Sequence, residues 1–133
     1  MKVLLDTHVW IWWLTEPRHL PARERTTLDR LAATRDIGLS AISLWEAQML
    51  HARGRLQLPV TFGRWLSLAA APETVTVVPL DAAVVTTIEL LPSSFHGDPA
   101  DRLIVATALA HGLPVATHDT AIRRSRVIDV WRP

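Results

Sequence analysis

Val3-Leu4-Leu5-Asp6-Thr7-His8 decides the architecture of this 133-residue chain. Three consecutive apolar residues ended by an acid suit a short parallel strand covered on both faces. Helix is predicted to follow from Thr7 to Leu14, so the chain opens as strand, acid, helix. Pro17 and Pro21 break that helix and start a second, Pro21 to Thr34, with Leu28 and Leu31 on one face and arginines on the other. Ile37 to Ile42 reads as a second strand, and Ser43 opens a helix to Arg53 that Gly54 stops.

Farther along, Thr61 caps a helix through Ala71, and Val75 to Pro79 is a strand by its β-branched composition. Asp81 caps a helix through Leu91, and Pro92 to Gly97 is a loop. Asp98-Pro99 sets an N-cap before a proline at the first helical position. The helix it opens runs through Ala110 and is apolar nearly all round in Leu103-Ile104-Val105-Ala106, which predicts burial. Gly112 ends it, Pro114 to Thr117 is a fourth strand, and Val127 to Val130 is a short fifth. Alternating strands and helices argue for an α/β sandwich with a mostly parallel sheet and right-handed crossovers.

A chain of this length fits one domain, residues 1–133, able to bury roughly 65 to 70% of its unfolded surface. With no cysteine, disulfides, thiolate zinc sites and cysteine nucleophiles are excluded. Met1-Lys2-Val3-Leu4-Leu5-Asp6 meets an acid too early for a signal-peptide apolar region, and no apolar run approaches the length of a membrane span. A soluble cytoplasmic protein without membrane contact is expected.

The net charge of +1 hides an uneven distribution. Between Arg64 and Arg102 there is no lysine or arginine, whereas Glu73, Asp81, Glu89, Asp98 and Asp101 fall there. Of the 14 basic residues all but Lys2 are arginine, clustered at residues 18–35 and 123–126. Arginine suits bidentate phosphate contacts, and the plainer alternative is a solvated face paired to Glu24, Asp29 and Asp36.

Four acids carry the chemistry. Asp6 and Asp119 end apolar strands, where ligand crevices lie in parallel sheets. Glu46 and Asp101 stand in first helical turns. Each has an ordinary alternative: Asp6 and Asp119 can cap the helices after them, and Ser43-x-x-Glu46 matches a capping box. Asp98 and Asp101 fall at the N-cap and N3 of one helix, where the orphan N–H groups favour carboxylates. Taken jointly, the placements are sharper. Carboxylates crowded together raise one another's pKa unless a cation intervenes, and hard divalent ions take such oxygen ligands, so Mg²⁺ or Mn²⁺ is the natural occupant.

His8, His19, His51, His96, His111 and His118 show no zinc-ligand spacing, although His8 and His118 adjoin Asp6 and Asp119 and are expected at the pocket rim. No nucleophile elbow, P-loop or dinucleotide fingerprint occurs. Trp10, Trp12 and Trp13 lie about 100° apart on one helix and cannot share one core face, so at least one is expected on a partner surface.

Four stretches carry a family resemblance: Leu4-Leu5-Asp6-Thr7-His8; Leu39-Ser40-Ala41-Ile42-Ser43-Leu44-Trp45-Glu46; Gly97-Asp98-Pro99-Ala100-Asp101-Arg102-Leu103-Ile104-Val105-Ala106; and Ala116-Thr117-His118-Asp119. In order and spacing, the chain resembles PIN-domain ribonucleases, and more closely the toxin of a VapBC-type toxin–antitoxin pair. The resemblance implies a three-layer α/β/α sandwich around a mostly parallel sheet of four to five strands. It also implies that Asp6, Glu46, Asp101 and Asp119 form an acidic Mg²⁺ or Mn²⁺ site, with Asp98 as a ligand, a cap or both. Thr7 and Thr117 would support the site by orienting Asp6 and Asp119. One local departure is Gln48-Met49, where many relatives carry a lysine nearby.

The activity implied is hydrolysis of RNA phosphodiester bonds, with Glu46 or Asp119 steering the attacking water. An acidic pocket needs basic residues around it to admit RNA, and Arg102, Arg123 and Arg124 are candidates. A small antitoxin protein and a second copy of the chain are the implied partners, through the Trp10 to Trp13 helix and the arginine-rich helix after it. The rival from another class is a binding module that keeps the fold without chemistry. A phosphomonoesterase using Asp6 as nucleophile fits worse, because His8 stands where such enzymes place a second aspartate.

Overall fold

The computed structural model of the chain describes residues 1–95 and 97–133. His96, part of the loop expected from Pro92 to Gly97, lies outside the described residues. Four strands, β1 (Val3–Leu5), β2 (Ile37–Ser40), β3 (Thr76–Val78) and β4 (Val115–Ala116), form one parallel sheet in the order β3-β2-β1-β4. β1 is therefore internal, hydrogen-bonded on both edges. Around the sheet lie α1 (Thr7–Thr15), α2 (Ala22–Ala33), α3 (Ala41–Ala52), α4 (Phe62–Ala69), α5 (Ala82–Thr87), α6 (Pro99–His111) and α7 (Thr120–Ser125).

Successive residues of a strand face opposite sides, and β1 shows the consequence. Val3 and Leu5 join Val9, Trp10, Leu28 and Ala47 in one core, while Leu4 packs with Val78, Ile104 and Ala108 in another. Helices thus cover both faces of the sheet, which is the α/β/α layering the resemblance implies. In α6, Ile104, Val105, Ala106 and Ala108 are fully buried, as the apolar run predicts.

Several elements are trimmed by a residue or two relative to the sequence reading, and three differences bear on the site or the sheet. β2 ends at Ser40, whose hydroxyl caps α3 by accepting from the Ile42 N–H, so Ser43 is a buried helical residue. The Ser43–Glu46 capping box therefore does not form. The expected helix from Asp81 to Leu91 stops at Thr87 and tightens into a single 3-10 turn, Ile88–Leu90. The expected fifth strand, Val127 to Val130, is reduced to one bridge between Val130 and Val115. No described helix is long and apolar enough to cross a membrane.

Of the helix-α1 tryptophans, Trp10 is fully buried and its indole N–H donates to the Ala69 carbonyl at 3.0 Å. Trp13 is half-buried and donates to Asp29 at 2.9 Å. Trp12 is half-buried with no hydrogen-bond partner for its indole N–H among the described residues. The acids expected to pair with the arginine face are engaged elsewhere: Asp29 with Trp13, Glu24 with His118, and Asp36 with Lys2.

Candidate active site

A parallel sheet ends all its strands on one edge, and the segments leaving that edge bring the acids together. Asp6 leaves β1, Asp119 follows β4, and Glu46 stands on α3, the helix leaving β2. Asp98 and Asp101 open α6, which packs against α3. All five line one cavity of about 420 Å³, together with His8, Val9, Trp12 and His118.

Capping and convergence turn out to be compatible. Asp6 Oδ1 accepts from the Thr7 N–H at 2.8 Å, Asp98 Oδ1 from the Asp101 N–H at 3.0 Å, and Asp119 Oδ1 from the Ile122 N–H at 2.9 Å. Each cap occupies one carboxylate oxygen and leaves the other to face a different partner. For Asp6 that partner is Thr117, whose hydroxyl donates to Oδ2 at 2.7 Å while accepting the Asp119 N–H at 3.0 Å. Thr117 thereby ties the ends of β1 and β4 together.

Thr7 performs the matching task toward α3. Its hydroxyl donates to Glu46 Oε1 and lies 2.8 Å from the Ser43 hydroxyl. Because the Thr7 proton goes to Glu46, the Ser43 hydroxyl is the donor to Thr7. This buried chain, Ser43 to Thr7 to Glu46, replaces the capping box and turns Glu46 toward the pocket.

Burial pushes the Asp6 carboxyl above the usual carboxylate range. The Thr117 and Thr7 hydrogen bonds and His8 oppose that shift, and the charge of Asp119 adds to it. Glu46 is raised for the same first reason, opposed by Thr7, with Asp101, Asp6 and Asp98 each adding repulsion. The pocket thus holds carboxylates that interact electrostatically and raise one another's pKa. Among the described residues, however, no three of them are gathered into a set that would enclose a metal ion as they stand.

The basic candidates separate. Arg123 is exposed, and its Nε donates to the Thr117 carbonyl at 2.9 Å, which fixes the guanidinium beside the site. Arg124 instead borders a separate cavity with Phe95 and Ser125, and none of Arg102, Arg123 and Arg124 lines the acidic cavity itself. His118, at the pocket wall, meets Glu24 of α2 at 2.9 Å. The wall residues that sequence reasoning missed are Val9 and, with more consequence, Trp12. Its signal was available: it lies four residues after His8 on the helix that Asp6 caps, hence on the same face.

Comparison with known proteins agrees with this arrangement. The PIN domain family model matches residues 3–127. Ribonuclease VapC22 of Mycobacterium tuberculosis (strain ATCC 25618 / H37Rv) is 39% identical over 132 residues, spanning 97% of this chain and 98% of its own length. Among solved structures, VapBC2 from Rickettsia felis, bound to a DNA fragment from their promoter, superposes with a TM-score of 0.73 over 98% of each chain. At 18% identity that likeness concerns the fold. FitAcB from Neisseria gonorrhoeae gives a TM-score of 0.67 at 26% identity, covering 98% of this chain and 97% of its own. On the family match, the near full-length relative and the shared fold, this chain belongs to the PIN-domain family.

Proposed function

We propose that the chain is a Mg²⁺- or Mn²⁺-dependent endoribonuclease and the toxin of a VapBC-type pair. One observation carries the reading: Asp6, Glu46, Asp98, Asp101 and Asp119 share a single cavity in a chain 39% identical to a ribonuclease. The donor set fits a hard divalent ion, being all carboxylate oxygen, with Asp6 and Glu46 raised in part by their acidic neighbours. Asp6, Glu46, Asp101 and Asp119 would hold it, with Asp98 at the edge. Bound there, the ion supplies positive charge that acidifies water and offsets charge on the phosphate.

The chain's own groups do the rest. Thr117 and the Thr7 N–H hold both oxygens of Asp6 in place, and Thr7 holds one oxygen of Glu46. Glu46 Oε2 then accepts a proton from the attacking water as its oxygen bonds phosphorus. The phosphorus–oxygen ester bond opposite breaks, and the leaving oxygen takes a proton from solvent. Arg123, anchored on Thr117, provides a cation where the strand enters. Likeness to FitAcB and 39% identity to a VapC ribonuclease support a small antitoxin as partner, and a homodimer is part of the same proposal.

The test is direct. Purified protein with Mn²⁺ should cleave RNA, and Asp101→Asn should abolish cleavage while the melting transition is retained; full activity in that variant would overturn the assignment.

A further inference from the structure

A second groove of about 230 Å³ abuts the acidic cavity, and His8 and Trp12 line both. Ile11, Leu50 and Leu56 give it an apolar side, and Arg55 and Gln57 line it as well. Gly54, at φ +70, makes the turn that brings these two residues there, and Gln57 donates back to the Gly54 carbonyl at 3.1 Å. Glu16 also borders the groove, its carboxylate 3.1 Å from His19 Nε2. No carboxylate among the described residues pairs with Arg55.

Trp12 divides the two cavities. Its ring lies 5.7 Å from the His8 ring, 5.3 Å from His19 and 6.5 Å from His118, each tilted against it, and the indole stays half-exposed. Trp10 and Trp13 commit their indole N–H groups to Ala69 and Asp29, whereas that of Trp12 has no partner among the described residues. A flat aromatic face with an available donor, beside a phosphate-processing pocket and before a cation, has the layout of a base-stacking platform followed by a backbone contact.

We propose that Trp12 and His8 form a ledge for an unstacked nucleobase next to the scissile phosphate, with Arg55 taking a neighbouring phosphate. This rests on the nuclease reading of the acidic cavity, with which the groove is continuous. The occupant is single-stranded, because a base paired within a duplex has no face to offer the indole. Trp12 is a specificity-determining residue, and the protein selects strands by whether a base reaches that ledge.

The experiment compares a short labelled single-stranded RNA with an abasic ribose-phosphate strand of equal length and charge. Binding is read by anisotropy in the Asp101→Asn background, with strand integrity checked on a gel. The base-bearing strand should bind about 10- to 100-fold tighter than the abasic one. Trp12→Ala should collapse that ratio toward one, and Trp12→Phe, which keeps a ring, should retain most of it. Arg55→Ala should weaken both strands alike and reduce the slope of log affinity against log salt by about one. The ledge is refuted if Trp12→Ala keeps the full ratio, if duplex binds as well as single strand, or if both substitutions weaken only a protein partner. Cleavage by the wild type with Mn²⁺ is scored separately. Absent cleavage with an intact ratio removes the nuclease and leaves the ledge, and cleavage with a flat ratio does the reverse.

Discussion

Replacing Thr117 by valine removes a hydroxyl at nearly constant volume from a position that is 3% exposed. Two bonds go with it: the 2.7 Å donation to Asp6 and the 3.0 Å acceptance from the Asp119 N–H. A hydrogen bond to a carboxylate contributes about 1.5–3 kcal/mol. The Asp119 N–H belongs to an exposed residue and can rehydrate, so its loss adds less, and roughly 3 kcal/mol in all is a fair figure. For a chain of this length that lowers the melting temperature by about 12 °C, at about 4 °C per kcal/mol. Thr117→Ser keeps the hydroxyl and loses a methyl, costing about 1 kcal/mol.

A pH series separates this argument from a packing defect. The Thr117 bond favours ionised Asp6, against a burial that disfavours it. Its removal therefore costs most where Asp6 is charged, and the gap between wild type and Thr117→Val should narrow in acid as the carboxyl protonates. Scanning calorimetry without divalent ions reads both quantities. A valine variant melting within about 3 °C of wild type, or a gap independent of pH, would refute the reasoning.

Asp6 and Glu46 both hold their protons to higher pH in the fold than in the unfolded chain. Their contribution to stability is thus fully present below the unfolded carboxylate value and is lost as pH rises through the folded one. Ion-free wild type should lose stability from mild acid toward neutrality relative to Asp6→Asn/Glu46→Gln, and an unchanged difference between the two proteins would contradict this. Mn²⁺ should raise the wild-type melting temperature most at neutral pH and barely move that double variant, a contrast that thermal shift measures. Thr7→Val should lower RNA cleavage about 10- to 100-fold, the usual cost of removing a group that orients a site ligand; unchanged kcat/KM would dismiss the orienting role. Trp10→Ala should cost about 3–5 kcal/mol in chemical denaturation because Trp10 is fully buried, whereas Trp12→Ala should cost much less. Equal losses would mean that Trp12 is a core residue.

What was legible came from local pattern. Apolar runs ended by an acid placed Asp6 and Asp119 at strand ends, and Asp98-Pro99 marked the start of α6, because those signals need no distant partner. Glu46 was ambiguous for the opposite reason. Ser40 and Ser43 are equally good caps by residue type, and only contact with Thr7, 36 positions away, selects Ser40 by drawing Ser43 into the helix. Trp12 is not singled out by residue type, because three tryptophans in four positions look alike until the neighbours of each are known. Arg102, Arg123 and Arg124 stand near the acids in sequence yet none lines the acidic cavity, because the direction a side chain leaves its helix decides what it lines.

The internal position of β1 has a consequence for the order in which the protein matures. Asp6 is oriented by Thr117, 111 residues later, and β1 gains its second neighbour only when β4 arrives. During synthesis β1 emerges early and can meet β2, but the crevice stays open on one side until the segment carrying Thr117 and Asp119 has left the ribosome. A pairing across most of the chain is among the slowest to form, since its loop must close before any contact rewards it. The fold thus carries its own delay: a partly translated chain has the acids of β1 and α3 but no assembled pocket.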